Sequence, residues 1–184
     1  MMYRTIAGFI GVLLLAACQG EVLPKPKAQL RLEYPETEYT TYSADYFSLD
    51  RNAMARITSR TNHSFVLDYP QMQGAIFITY KEVDGNLDKL LTDAQRLSYE
   101  HVVKADNILE QPFVNEEDRV FGMYYEVKGN AASQAQFYAT DSTGHFLTGS
   151  LYFHAKPNYD SVLPAAAYLQ NDIRRIMETL KWNN

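Results

Sequence analysis

The chain has 184 residues, 22 acidic against 17 basic for a formal net charge of −5, and a single cysteine. An acidic chain without a basic stripe excludes nucleic acid as an expected partner, and excludes adhesion to anionic lipid through its folded surface. One cysteine excludes a disulfide framework; fourteen tyrosines suit half-buried strands, ring inward and hydroxyl wet.

Arg4 precedes an uninterrupted run of apolar residues and glycine over residues 6–17. That run has the length of a secretory signal and falls short of the roughly 20 residues a membrane-spanning helix needs. It ends in Leu15-Ala16-Ala17-Cys18. Small residues before a cut let the chain lie extended in a peptidase cleft, and a thiol directly after it can take a diacylglyceryl thioether. This is the lipobox pattern of bacterial lipoproteins. The expected organisation is a signal peptide over residues 1–17, a lipidated (palmitate-bearing) Cys18 opening a proline-containing tether over 18–27, and one domain over 28–184. Gln19, where an aspartate would signal retention in the inner membrane, favours the outer membrane, and no acidic export tag follows, so the periplasmic face is expected.

Beyond the tether, residues 29–34 alternate as a strand that Pro35 stops, and residues 39–60 read as short strands and turns. Residues 63–69 place His63, Phe65, Leu67 and Tyr69 on one face before Pro70; residues 74–82 carry β-branched and aromatic residues on both faces, as a central strand does. The period then changes. Leu87, Leu90, Leu91, Ala94, Leu97, His101, Val102, Ala105, Ile108 and Leu109 predict an amphipathic helix over 86–109, capped from Asp84, Gly85 or Asn86 and closed by Pro112.

Three strands follow. Phe121, Met123, Tyr125 and Val127 share a face of the first, Ala135, Phe137 and Ala139 a face of the second, and Leu147, Leu151 and Phe153 line the third; Asp141-Ser142-Thr143-Gly144 makes the last two a hairpin. A second helix is predicted over 161–181, with Asp160 as N-cap and a buried stripe of Val162, Ala165, Ala166, Leu169, Ile173, Ile176, Met177 and Leu180. Consecutive strands without intervening helices indicate an α+β class: a mainly antiparallel sheet packed with two amphipathic helices in a two- or three-layer sandwich. The pattern resembles a PsbP/Mog1-like sandwich.

The chemistry-bearing residues form no catalytic signature. His63, His101, His145 and His154 lack metal-ligand spacing, so neither a metal nor another cofactor is expected. Ser133, Asp141 and His145 could be drawn as a triad, but no GxSxG-like turn presents the serine. Glu116-Glu117-Asp118 reads as a solvated acidic turn. The chain is therefore not expected to be an enzyme. Candidate surfaces for a protein partner are the small-residue connection with Gly129, Asn130 and Ser133, and a polar-aromatic strand face of Tyr124, Gln136, Tyr138, Ser150 and Tyr152. A second expectation is a ligand-binding module, with tyrosines lining a cleft for glycan or peptidoglycan fragments.

Nearly the whole chain also resembles a known family. The residues that carry this are Pro24-Lys25-Pro26, Tyr34-Pro35, Asp68-Tyr69-Pro70-Gln71, Asn86-Leu87 and Lys104-Ala105-Asp106. The densest part is Val127-Lys128-Gly129-Asn130-Ala131-Ala132-Ser133, Gln136-Phe137-Tyr138, Thr140-Asp141-Ser142-Thr143 and His145-Phe146-Leu147, closed by Leu180-Lys181-Trp182. With these motifs the chain resembles the gliding-motility lipoprotein GldD family of the Bacteroidota; residues 49–61 depart from the pattern and look shortened. The resemblance implies an envelope lipoprotein required for gliding, acting structurally with other gliding-motility and type IX secretion proteins. It brings no catalytic residues, and Cys18 is the one functional position it transfers.

Overall fold

Apolar or aromatic residues at alternate positions, punctuated by turn residues, build most of the molecule. The computed structural model describes residues 33–58, 61, 63–100, 104–154 and 158–183. The expected signal peptide, Cys18, most of the tether-proximal strand and His101 lie outside the described residues. In chain order the strands are β1 (Tyr39–Ser43), β2 (Phe47–Asn52), β3 (Arg56–Thr58), β4 (Ser64–Tyr69), β5 (Gly74–Glu82), β6 (Ala105–Asn115), β7 (Val120–Gly129), β8 (Ser133–Thr140), β9 (His145–Phe153) and β10 (Lys181–Trp182). The helices are α1 (Leu87–Tyr99) and α2 (Tyr159–Thr179).

Seven strands form one sheet in the order β3-β4-β5-β9-β8-β7-β6, and three form a second in the order β1-β2-β10. Every pairing is antiparallel. Helix α2 lies across β7, β8 and β9 on one face of the large sheet and against β2 of the small one. Its stripe of Val162, Ala165, Ala166, Leu169, Ile173, Ile176 and Met177 is buried, as is Leu180 at its C-cap. Of these, Ala165, Leu169, Ile173, Ile176, Met177 and Leu180 share one core with Leu67, Ile76, Ile78, Phe137, Leu147 and Leu151 of the sheet. Each fully buried side chain of this size contributes about 1.5–3 kcal/mol. Phe47 and Leu49 of β2 join the same core, Phe47 lying with ring centroids 6.3 Å from Phe65 and 6.0 Å from Tyr80. Helix α1 touches β8 from the opposite side. The result is a three-layer α+β sandwich with two helices, in agreement with the expected class.

Several local expectations are corrected. The helix predicted over 86–109 ends at Tyr99, and Ala105, Ile108 and Leu109 belong to strand β6. Pro112, expected to close that helix, stands inside β6; a proline is tolerated there because β6 is the outer strand of the sheet. Residues 29–32 of the strand predicted before Pro35 lie outside the described residues, and Glu33 and Tyr34 are in irregular structure. Residues 39–60, hard to read in sequence, contain β1, β2 and β3. Asn158, and not Asp160, takes the N-cap position of α2, and Asp160 sits in its first turn, where a negative charge favours the helix's positive end. Strand β5 is central, between β4 and β9, yet Phe77 on its α1-side face is 43% exposed.

Candidate functional site

The connection between β7 and β8 is set by backbone necessity. Gly129 has φ +105, and a Cβ there would stand 2.6 Å from the Asp106 backbone nitrogen, so only glycine fits. Gln134 folds its amide back, Nε2 donating to the carbonyls of Gly129 at 3.3 Å and Ala131 at 3.0 Å. The Ser133 hydroxyl donates to the Ala135 carbonyl at 3.1 Å beside a register shift in the β8–β9 ladder. Asn130 reaches α2: its Oδ1 accepts from Tyr159 N–H at 2.8 Å, capping the helix where Asn158's own side chain makes no cap bond. The connection thus ties β7, β8 and α2 together.

The five candidate partner-surface residues are distributed unequally. Asn130 is exposed and Tyr138 half-buried, whereas Gly129, Ser133 and Gln136 are buried inside the fold. A buried Ser133 and Gln136 offer a partner no contact in this state. Gln136, Tyr138 and Ser150 do share a face, over which α1 lies: Gln136 Oε1 accepts from Ser98 Oγ at 3.1 Å, and Leu90, Ala94 and Leu97 close a cleft of about 70 Å³ against these strands. Gln136 Nε2 has no hydrogen-bond partner among the described residues. Tyr124, expected on this face, is on the other one, beneath the Arg174 guanidinium at 4.7 Å from its ring centroid. Alternation along β7 places it opposite Tyr125, which lines the α1 cleft.

His145 and Ser133 open adjacent antiparallel strands at opposite ends, so the triad drawn from sequence is not brought together. His145 is engaged in an aromatic cluster. Burial raises the Tyr80 phenol to about 12, so it stays protonated, and its hydroxyl shares a hydrogen bond of 2.8 Å with His145 Nδ1. The imidazole stacks on Trp182, centroids 5.1 Å apart. Asp141 organises the β8–β9 turn: Oδ1 accepts from the backbone N–H of Thr143, Gly144 and His145 at 2.9, 2.8 and 2.8 Å, and Oδ2 from Thr143 Oγ1 at 2.6 Å. Burial alone would raise this carboxyl, but these hydrogen bonds outweigh it and hold Asp141 well below the usual carboxylate range.

A second carboxylate was missed in the sequence. Asp172 is buried on the inner side of α2; its Oδ1 accepts from the Tyr39 hydroxyl at 3.1 Å and its Oδ2 from Asn52 Nδ2 at 3.0 Å. Asn52 Nδ2 also reaches the Tyr168 hydroxyl at 3.2 Å, which accepts from Thr37 Oγ1 at 3.1 Å and donates to the Pro35 carbonyl at 3.3 Å. The buried Tyr69 hydroxyl lies near the same carboxylate but outside hydrogen-bonding geometry. Burial raises the Asp172 carboxyl, and the hydrogen bonds from Asn52 and Tyr39 only partly offset it. The signal was present in the sequence: position 172 lies between Leu169 and Ile173 on the stripe that otherwise carries only apolar residues.

Among the described residues no three His, Cys, Asp or Glu side chains converge as metal ligands, and no helix is long and apolar enough to cross a membrane. Fold and site together define a class: a three-layer α+β domain whose buried polar groups chiefly tie its own elements together. The sequence model of the gliding motility lipoprotein GldD family matches residues 19–182, and the chain belongs to that family. A comparison with curated proteins finds no match. Membership makes it a lipoprotein, held to an envelope membrane, and gives it a part in gliding motility.

Proposed function

We propose that the chain is exported by the signal over residues 1–17, cut before Cys18, acylated there, and held on the periplasmic face of the outer membrane. There it acts without catalysis, as a structural and assembly component working with the gliding and type IX secretion machinery. The observation that carries this reading is the family match, which spans residues 19–182 and so takes in both sheets and both helices. The lipobox Leu15-Ala16-Ala17-Cys18 supports the anchor. The internal use of Asn130, Gln134, Asp141 and Asp172 supports a structural role over a chemical one.

Three clefts between described elements, of about 70, 60 and 190 Å³, are each smaller than the roughly 300–1,000 Å³ of small-molecule sites, and these three give a glycan-binding reading no support. The test is made in the native host. The gene is deleted and restored as wild type or Cys18→Ala, and single-cell gliding and release of type IX cargo are scored. Loss of gliding and cargo release, restored by the wild type and not by Cys18→Ala, is the expected result. Normal gliding and secretion in the deletion strain overturn the reading.

A further inference from the structure

Strand β6 is eleven residues long and forms one end of the seven-stranded sheet, paired along one edge with β7. The opposite end, β3, has only three residues. Long outer strands invite pairing, and folded proteins blunt them with lysines, short length or a covering element. β6 has a proline, two acids and a register irregularity between Ala105 and Asn107, but neither lysines, short length nor, among the described residues, a covering strand. It carries no basic residue, its one proline is Pro112, and among the described residues nothing pairs with its free edge. Leu109 is 37% and Val114 63% exposed, while Asp106 and Glu110 are its only charged residues, both exposed, with the Glu110 carboxylate accepting through Oε1 from the Tyr99 hydroxyl of α1.

A cleft of about 190 Å³ opens beside this strand on the α2 face. Pro112, Phe113, Tyr124 and Met177 supply its apolar walls, and Arg174 and Glu178 its polar ones. The Arg174 guanidinium is already paired with Glu126 at 3.3 Å. The Glu178 carboxylate is exposed and forms no ion pair among the described residues, and the buried Tyr124 hydroxyl has no hydrogen-bond partner there. A free edge supplies main-chain hydrogen bonds, and a pocket beside it selects a side chain; together these are the two parts of strand-addition recognition.

We propose that β6 is a strand-addition site for a basic, extended segment of a partner protein. The segment lays its backbone along the free edge on either side of Pro112, which has no N–H to offer. It places an apolar side chain in the cleft against Phe113 and Met177, and presents lysine or arginine to Glu110 and Glu178. Charge decides between a partner and a second copy of this chain. Two β6 strands would bring only acids to their shared edge, and like charges facing each other across a ladder are destabilising, whereas a basic segment neutralises them. This proposal rests on the assembly reading above and names the surface through which assembly occurs.

The test places a photo-crosslinking residue at Gln111 of the full-length protein in its native host, with the exposed Lys89 of α1 as the control position, and sequences the peptides joined to it. The expected result is an adduct at Gln111, absent at Lys89, with a segment of another protein that carries lysine or arginine. Glu110→Lys and Glu178→Lys, at two exposed positions, should each lower its yield about tenfold while leaving the thermal midpoint of the purified protein near that of the wild type. An adduct with a second copy, with residues 1–32 of the same chain or with an acidic segment overturns the proposal. So does a yield unchanged in both variants, or no adduct. If the deletion strain fails to glide while both variants glide normally and no adduct forms, strand addition alone is refuted. If the deletion strain glides, the assembly reading itself falls.

Discussion

Asp141 and Asp172 are both withdrawn from solvent, yet their surroundings drive them in opposite directions, and the difference has a measurable pH signature. Asp141 is held low by three backbone N–H groups and the Thr143 hydroxyl, so its stabilisation is complete above the ordinary carboxylate value of 3.8 and is lost as pH falls below it. Asp141→Ala should cost about 2 to 3 kcal/mol at pH 7 in urea unfolding, because a charged acceptor is removed from donors that close the turn. The deficit should narrow below pH 4; a deficit constant between pH 7 and pH 3 would show that the turn does not depend on the ionised carboxylate. For Asp172 the sign reverses. Its carboxyl is raised from 3.8, so the folded protein binds its proton more tightly than the unfolded chain, and stability falls as pH rises from 3.8 through the raised value. Asp172→Asn removes that titration while keeping an acceptor for the Tyr39 hydroxyl. The stability of Asp172→Asn relative to the wild type should therefore increase with pH across this window, and a flat difference would mean the carboxyl is not destabilised by burial.

The two helices are amphipathic in sequence but attached very differently. Along α2 seven apolar side chains are buried, whereas along α1 only Leu90 and Ser98 are, and Leu97 and Tyr99 are 44% and 45% exposed. Ile173→Ala should lower global stability by about 3 kcal/mol, since the hole it leaves is walled on all sides. Leu90→Ala should instead free α1 locally, speeding amide exchange in Leu87–Tyr99 about tenfold while β5 and β9 exchange as before. Equal loss of global stability in the two variants would show that α1 belongs to the cooperative core. The same contrast explains what was legible in the sequence. The stripe of α2, the alternation of β4 and β5 and the β8–β9 hairpin are short-range patterns that tertiary packing reinforces. Residues 105–109 happened to keep helical spacing with α1, but their conformation is decided by pairing with β7, in a register that begins at Ala105 and Gly129. β7 is the next strand, joined through residues 116–119, but the start of β6 pairs with its far end at Gly129, and Pro112 reads as a stop because nothing local reveals that β6 is an outer strand. For the candidate surface, Asn130 was legible as a special residue, but not its cap on α2; Gln136 looked surface-like because its cover, α1, comes from elsewhere in the chain.

For the molecule as a whole, attachment to the envelope is a sum of separable forces. The chain carries a net charge of −5, so its folded surface is not drawn to anionic lipid, and no described helix crosses a membrane. Acyl chains at Cys18, each worth about 0.8 kcal/mol per buried methylene, would then supply the hydrophobic part, and a partner strand on β6 a salt-sensitive part. In fractionated cells the wild type should stay with the membranes in high salt and at alkaline pH. Cys18→Ala should keep the wild-type thermal midpoint and be released by high salt. Adding Glu110→Lys to Cys18→Ala should free the protein even at low salt, because the electrostatic contact then loses its main acidic partner on the strand. A Cys18→Ala protein that resists both salt and alkali would mean that something other than the lipid holds it to the membrane. A double variant that behaves like Cys18→Ala alone would separate the partner contact from β6 and leave the anchor intact.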